Sequence, residues 1–206
     1  MKLFYAPGAC SIGIHILLEE IGKPYEPVAI SLREGDQLKP EFIAMNPKSK
    51  VPTLVRDDGS VLTEFPAIAF WLARTNPQAK LLADDAETQA RALEAMEFAT
   101  ATMHMQGFSR VFRPARFGPS EEDAEAITAR GKEIIEAGFK QFDTALAGKE
   151  YLLGTFSVAD AALFFVEFWG AARLGLALPA NVAAHFARMK ARPAVARAMA
   201  REGLAT

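Results

Sequence analysis

The pattern of apolar and polar positions divides the chain in two. Up to about residue 80, short runs of β type alternate with helical stripes; beyond it only the helical period persists. Lys2–Tyr5 reads as an apolar strand. After the turn Ala6-Pro7-Gly8-Ala9, a helix is predicted from Cys10-Ser11 through Ile21, with Ile14, Leu17, Leu18 and Ile21 on one stripe and Gly22 as its stop. Tyr25–Ile30 is a second predicted strand, and 36–45 a short helix or loop. Strand-helix-strand implies a parallel pair joined by a right-handed crossover.

The stretch Asn46–Pro66 reads as a β-hairpin. Val51–Val55 is the first strand, Asp58-Gly59 the tight turn and Ser60–Thr63 the return. Phe65-Pro66 opens the next helix, which runs to Arg74, with Pro66 at the first turn, where a missing N–H costs little. Pro52 stands out, because proline cannot donate to a ladder and belongs at a strand end or an edge. It leaves the Val51 N–H and C=O available to an extended peptide, which would add a strand. Two forms of the Val51–Pro52 bond fit the residues, an ordinary trans proline at a strand start and a cis kink.

The polar stretch Asn76–Asp85 ends the strand-bearing part, and the expected organisation is an α/β domain at 1–80, a linker at 81–87 and an all-α domain at 88–206. Helices are predicted over 88–111, 121–146, 157–174, 182–190 and 194–201, with Pro114, Pro119, Pro179 and Pro193 between them. Ser157-Val158-Ala159-Asp160 has the form of a capping box, and the apolar body Ala161–Trp169 behind it reads as a buried central helix.

Composition narrows the partners. With 206 residues, half of them hydrophobic, the chain can bury a large core or two small ones. A net charge of −2 with no basic run argues against nucleic acid, and no apolar stretch reaches the ~18 residues of a membrane span. Pro-Gly breaks the N-terminal apolar run too early for a secretory signal. The single cysteine excludes an internal disulfide framework and fits a reducing cytoplasm; His15, His104 and His185 have no metal-ligand spacing with it.

Several residues have the chemistry of a site. Cys10 lies where a turn enters a helix N-terminus, whose partial positive charge lowers a thiol pKa, so it is a candidate nucleophile or thiol contact as well as a small buried cysteine. Glu64 precedes the helix that opens at Phe65-Pro66, which pairs a carboxylate with an anion-receptive helix end and suits an amino-acid head group. Lys48 and Lys50 are candidates for a second carboxylate at the ligand's other end. His104 sits among methionines within a helix. Phe108, Phe112, Phe117 and Trp169 are candidates to line an apolar cavity, though aromatics at helical spacing commonly serve as core.

Four segments in this order, MKLFYAPGACSIGIHILLEE, NPKSKVPTLVRDDGSVLTE, FSVADAALF and MKARPAVARAMAREGL, resemble the glutathione transferases, and within them the bacterial beta class. The resemblance spans essentially the whole chain. It implies a thioredoxin-like N-terminal domain, an all-helical C-terminal domain and a homodimer, with glutathione as co-substrate and no metal. It also implies a cis Val51–Pro52 bond, Val51 backbone groups paired with the cysteinyl part of glutathione, Cys10 beside the glutathione sulfur and Glu64 at the γ-glutamyl group. Lys50, Pro52, Phe65 and Glu97 join that glutathione site, and Cys10 and His104 are the catalytic candidates.

Three positions depart from the pattern. The residue after Glu64, often Ser in this fold, is Phe65, which leaves only a backbone N–H. His104 takes the class histidine's place if one residue is inserted before Phe108; otherwise Met105 does. Glu97 stands where the neighbouring subunit often contributes Asn. The expected activity is conjugation of the glutathione thiol to a hydrophobic electrophile, as in detoxification. The alternatives are a glutathione-dependent thiol-disulfide reductase acting through Cys10, and a non-catalytic ligand-binding protein on the same fold.

Overall fold

A computed structural model describes residues 1–118 and 120–204. Pro119, read above as helix punctuation, and the last two residues of the predicted helical domain lie outside them. The chain forms two compact units, Met1–Asp84 with the C-terminal stretch from Met189, and Asp85–Arg188. The last helix, assigned from sequence to the helical domain, thus clusters with the strand-bearing part.

The first unit is built on a four-stranded sheet in the order β2-β1-β3-β4, with β1 at Lys2–Tyr5, β2 at Glu26–Ala29, β3 at Thr53–Val55 and β4 at Val61–Thr63. β1 pairs with β2 in parallel and with β3 antiparallel, and β3 and β4 form the antiparallel hairpin. Leu3 faces Leu54 across the two central strands, and both are fully buried. The hairpin turn forms at Asp58-Gly59 as predicted: Gly59 takes φ 82°, and Asp58 Oδ1 accepts from Ser60 N–H at 2.9 Å. β1 keeps its predicted bounds, whereas β2 and β3 are shorter than their apolar runs; β3 begins only after Pro52, which has no N–H to give to the ladder.

Helix α1, Ser11–Ile21, is buried on every face from Ser11 to Glu19, beyond the single stripe expected. Its polar residues are therefore partnered. Glu19 accepts from Tyr25 O–H and pairs with Arg197 and Arg201, and Glu20 pairs with Arg192. Arg192, Arg197 and Arg201 cap or belong to the last helix, Pro193–Arg201, which packs along α1. The short helix Pro40–Met45 and the helix Phe65–Thr75, here α2 and α3, complete this unit, with α3 buried through Phe65, Ile68, Ala69, Leu72 and Ala73.

In the second unit the first helix runs as α4 over Ala86–Glu97, widens into π-type turns over Phe98–Phe108 and ends as α5 at Ser109–Phe112. Ser109 N–H reaches His104 O, five residues back, within that widened stretch. α6 spans Ala124–Leu146 and α7 Val158–Phe168, prolonged by a second π turn at Trp169–Arg173; α8 is Ala180–Ala191 and α9 the last helix already described. α7 is the central helix that the sequence indicates, with every residue buried. Its capping box is present: Asp160 Oδ2 accepts from Ser157 N–H at 2.8 Å, and Ser157 Oγ accepts from Ala159 N–H at 3.3 Å.

A buried ionic group ties α7 to α8. His185 Nδ1 lies 2.8 Å from Glu167 Oε1 and its Nε2 lies 3.2 Å from Asp160 Oδ1, with all three side chains inaccessible to solvent. Burial pushes the Glu167 carboxyl up to about 7, while the two carboxylates overcome burial and raise the imidazole to about 9. No helix among the described residues is long and apolar enough to cross a membrane.

Candidate active site

The site forms where the β1–α1 turn meets the segment leading into β3. Ala9 N–H closes the turn onto Ala6 O at 2.9 Å, and Cys10 follows at the N-terminus of α1. The Cys10 thiol donates to the Val51 carbonyl at 3.5 Å. The Val51–Pro52 bond is cis. Val51 precedes the first paired residue of β3, Thr53, and its N–H has no hydrogen-bond partner among the described residues. An extended peptide laid there can pair with Val51 while bringing a side chain to the thiol.

The expected low thiol pKa is not what the structure gives. Burial of the sulfur dominates and pushes Cys10 up from 9.0 to about 12. The N–H groups of Cys10 and Ser11 at the helix start pull the other way, as does the Lys50 charge, while Glu64 adds to the rise. Desolvation wins because the thiol is enclosed, so Cys10 stands as a neutral S–H donor at neutral pH. That Lys50 and Glu64 both act on this sulfur places their charges around the same locus.

Glu64 holds φ 74° and ψ 128°, a backbone state costly for a side-chain-bearing residue, of order 1–3 kcal/mol. Its carbonyl accepts from Ile68 N–H at 3.0 Å, starting α3, and its carboxylate pairs with Lys48 Nζ at 2.8 Å. Lys48 therefore lies at the Glu64 end of the site, not at the opposite end expected from its position in the loop. The loop is set by Asn46, 2% exposed, whose amide donates to Lys50 O at 2.9 Å and Thr53 Oγ1 at 2.8 Å while its Oδ1 accepts from Lys48 N–H at 3.1 Å. Phe65 packs into the core at 4% exposure.

One supporting residue was not foreseen. Glu202, just past α9, is buried and bidentate: Oε2 accepts from Gly8 N–H at 2.7 Å and Oε1 lies 2.9 Å from His15 Nδ1. It thus ties the turn before Cys10 to the first helix. The available signal was His15 itself, a polar side chain in the apolar run Ile14–Ile16, which demands a buried partner.

In the helical unit, the His104 ring meets Trp169 at 4.7 Å and Phe165 at 5.8 Å between centroids. Phe108 and Phe112 stack at 5.7 Å, and both contact the Trp169 ring. Phe108 and Trp169 are core residues at 0% and 5% exposure, whereas Phe112 at 38% and Phe117 at 37% present rings to the surface. Phe117 stands apart from that aromatic cluster under the Arg110 guanidinium, 4.4 Å from its centroid. Glu97, at the end of α4, is exposed.

The model of the glutathione S-transferase N-terminal domain matches residues 8–75. Glutathione S-transferase GstA of Escherichia coli O157:H7 is 36% identical over 99% of this chain and 100% of its own length. Among solved structures, a glutathione transferase homologue from Sulfitobacter with bound glutathione superposes with a TM-score of 0.90 at 31% identity, covering 99% of this chain and 98% of that one. The bacterial beta-class glutathione S-transferase of Sphingomonas chungbukensis gives 0.84 at 34% identity over all of both chains. With a thioredoxin-like mixed sheet followed by a helical unit, this chain belongs to the glutathione S-transferases and resembles their bacterial beta class.

Proposed function

We propose that this enzyme conjugates the glutathione thiol to hydrophobic electrophiles. The observation that carries the reading is the meeting, at one sheet margin, of the Val51 N–H, unpartnered among the described residues, the Cys10 thiol on Val51 O and the Glu64 carboxylate. Glutathione is an extended thiol tripeptide with an amino-acid head, and each part has a counterpart there. Its backbone pairs with Val51, its ammonium meets Glu64 and its sulfur lies beside Cys10. That bound glutathione occurs in the Sulfitobacter relative supports the same ligand here.

In the proposed mechanism the bound glutathione thiol releases its proton to solvent. The thiolate is held by the α1 N-terminal N–H groups and by the Cys10 S–H donor. It attacks the electrophilic carbon, a C–S bond forms and the leaving group departs with the bonding pair. With 1-chloro-2,4-dinitrobenzene that leaving group is chloride. The high pKa of Cys10 favours this role over a cysteine nucleophile for disulfide reduction. Phe112 and Phe117 are proposed to receive the electrophile's apolar part and His104 to border it, Phe108 and Trp169 supporting them from the core.

A cytoplasmic detoxification role and a homodimer, in which Glu97 faces the neighbouring subunit's ligand, complete the proposal; light scattering tests the dimer. The decisive assay combines retention on glutathione resin with turnover of 1-chloro-2,4-dinitrobenzene and of a glutathione mixed disulfide. Retention with aryl turnover that survives in Cys10→Ala supports conjugation. Turnover of the mixed disulfide alone, abolished in Cys10→Ala, overturns it in favour of reduction. No retention overturns glutathione as the ligand.

A further inference from the structure

We infer that Lys48 is a specificity residue, forming with Glu64 a single two-charge receptor for the zwitterionic head of the ligand. Glu64 takes its ammonium and Lys48 its α-carboxylate. This deepens the glutathione reading above and rests on it.

The geometry begins with adjacency. Lys48 Nζ lies 2.8 Å from Glu64 Oε1 and donates to Thr63 Oγ1 at 2.9 Å. An α-amino acid carries its cation and anion on one carbon, so an anion and a cation held side by side match both of its charges. Of the two loop lysines, Lys48 is the one that pairs directly with Glu64 among the described residues, while the Lys50 charge, like that of Glu64, bears on the Cys10 sulfur. When the head docks, the four charges alternate around it, each between two of opposite sign.

Neither partner is held by chance. Lys48 lies in a loop that buried Asn46 fixes through Lys48 N–H, Lys50 O and Thr53 Oγ1, and Ser49 follows at φ 54°. Glu64 keeps its positive φ while its carbonyl starts α3. The side chains themselves are half-exposed, Lys48 at 51% and Glu64 at 57%. A pair that open adds little to folding, and a ligand reaches both ends of it. The backbone strain and buried loop anchor therefore position an ion pair whose main use is outside the fold.

The test is a ligand-protein cycle on the full chain. Calorimetry measures binding of glutathione and of 4-aminobutyryl-cysteinyl-glycine, which lacks only the α-carboxylate, to the wild type, Lys48→Met and Lys48→Arg. The wild type is expected to bind the truncated peptide ~5–10-fold more weakly than glutathione, and Lys48→Met to bind glutathione more weakly by a similar factor. Lys48→Met should then barely distinguish the two peptides, and Lys48→Arg should restore most of the discrimination. Equal discrimination by the wild type and Lys48→Met overturns the assignment, as does tighter glutathione binding by Lys48→Met, which would make Lys48 a competitor for Glu64. No glutathione binding by the wild type overturns the ligand itself, a separate outcome from the failure of Lys48 alone.

Discussion

The ionisation of Cys10 gives the sharpest test of the site's electrostatics, because the two forces on it oppose each other and the structure ranks them. The helix N-terminus stabilises a thiolate; enclosure of the sulfur destabilises it more, and the balance moves the thiol from 9.0 to about 12. Three units correspond to a thiolate population about 10³ times smaller at any pH below the lower value. At pH 7.5 an ordinary thiol of that starting value is about 3% ionised, and Cys10 about 0.003%. Since the thiolate is the nucleophile, alkylation by iodoacetamide should be at least ~10³-fold slower than that of N-acetylcysteine. The logarithm of its rate should climb with unit slope to beyond pH 10. The chain has one cysteine, so mass spectrometry reads the site without ambiguity. Alkylation in urea should recover the rate of the free thiol. The same shift sets a stability slope. The folded state holds the proton where the unfolded thiol has lost it, so stability is untouched below pH 9 and declines by about 1.4 kcal/mol per unit above it, until the folded thiol ionises near 12. A rate plateau between pH 7 and 8 would refute the ranking and return Cys10 to the role of an activated nucleophile.

Three further perturbations probe the support around the site and the core. Glu202→Ala strips the acceptor from Gly8 N–H and the partner from His15, both buried, and should cost about 2–4 kcal/mol in urea unfolding. It should also speed Cys10 alkylation at pH 9 by loosening the turn before it; unchanged values for both would show that Glu202 anchors nothing. His185→Leu leaves the buried Glu167 and Asp160 carboxyls without their cation and should destabilise by about 3–5 kcal/mol at pH 8. Urea unfolding at pH 8 measures the loss, and a value under ~1 kcal/mol would contradict the ionic description. At Gly131 an added Cβ would sit 2.8 Å from the Gly107 carbonyl oxygen, which is backbone and cannot swing aside. Gly131→Ala should therefore lower stability by about 1–3 kcal/mol despite the helix-propensity gain, and a rise in melting temperature would show that the helices yield.

What the sequence disclosed and what it hid follow from the range of the forces involved. The hairpin, its turn at Asp58-Gly59, the start of α3 at Phe65-Pro66 and the capping box at Ser157–Asp160 were legible because each is fixed within a few residues by φ preference or a side-chain cap. The continuous helix over 86–112 was legible as a helix but not as one with widened turns, since its periodic pattern does not distinguish i→i+4 from i→i+5 bonding. The residues that meet around the β1–α1 turn were legible as candidates along the chain, yet their electrostatics were not. From the local sequence Cys10 sits at a helix end that favours a thiolate, with a small buried cysteine equally open; the burial that decides between them comes with contacts such as that to Val51, forty-one residues away. Local reasoning likewise sent Lys48 to the far end of a ligand, while the fold turns it onto Glu64. The same holds for Glu202, whose partners lie 194 and 187 residues earlier. A buried polar residue in an apolar helix announces that a partner exists without saying where, and in this chain those distant partners set the charge, the protonation and the anchoring of the site.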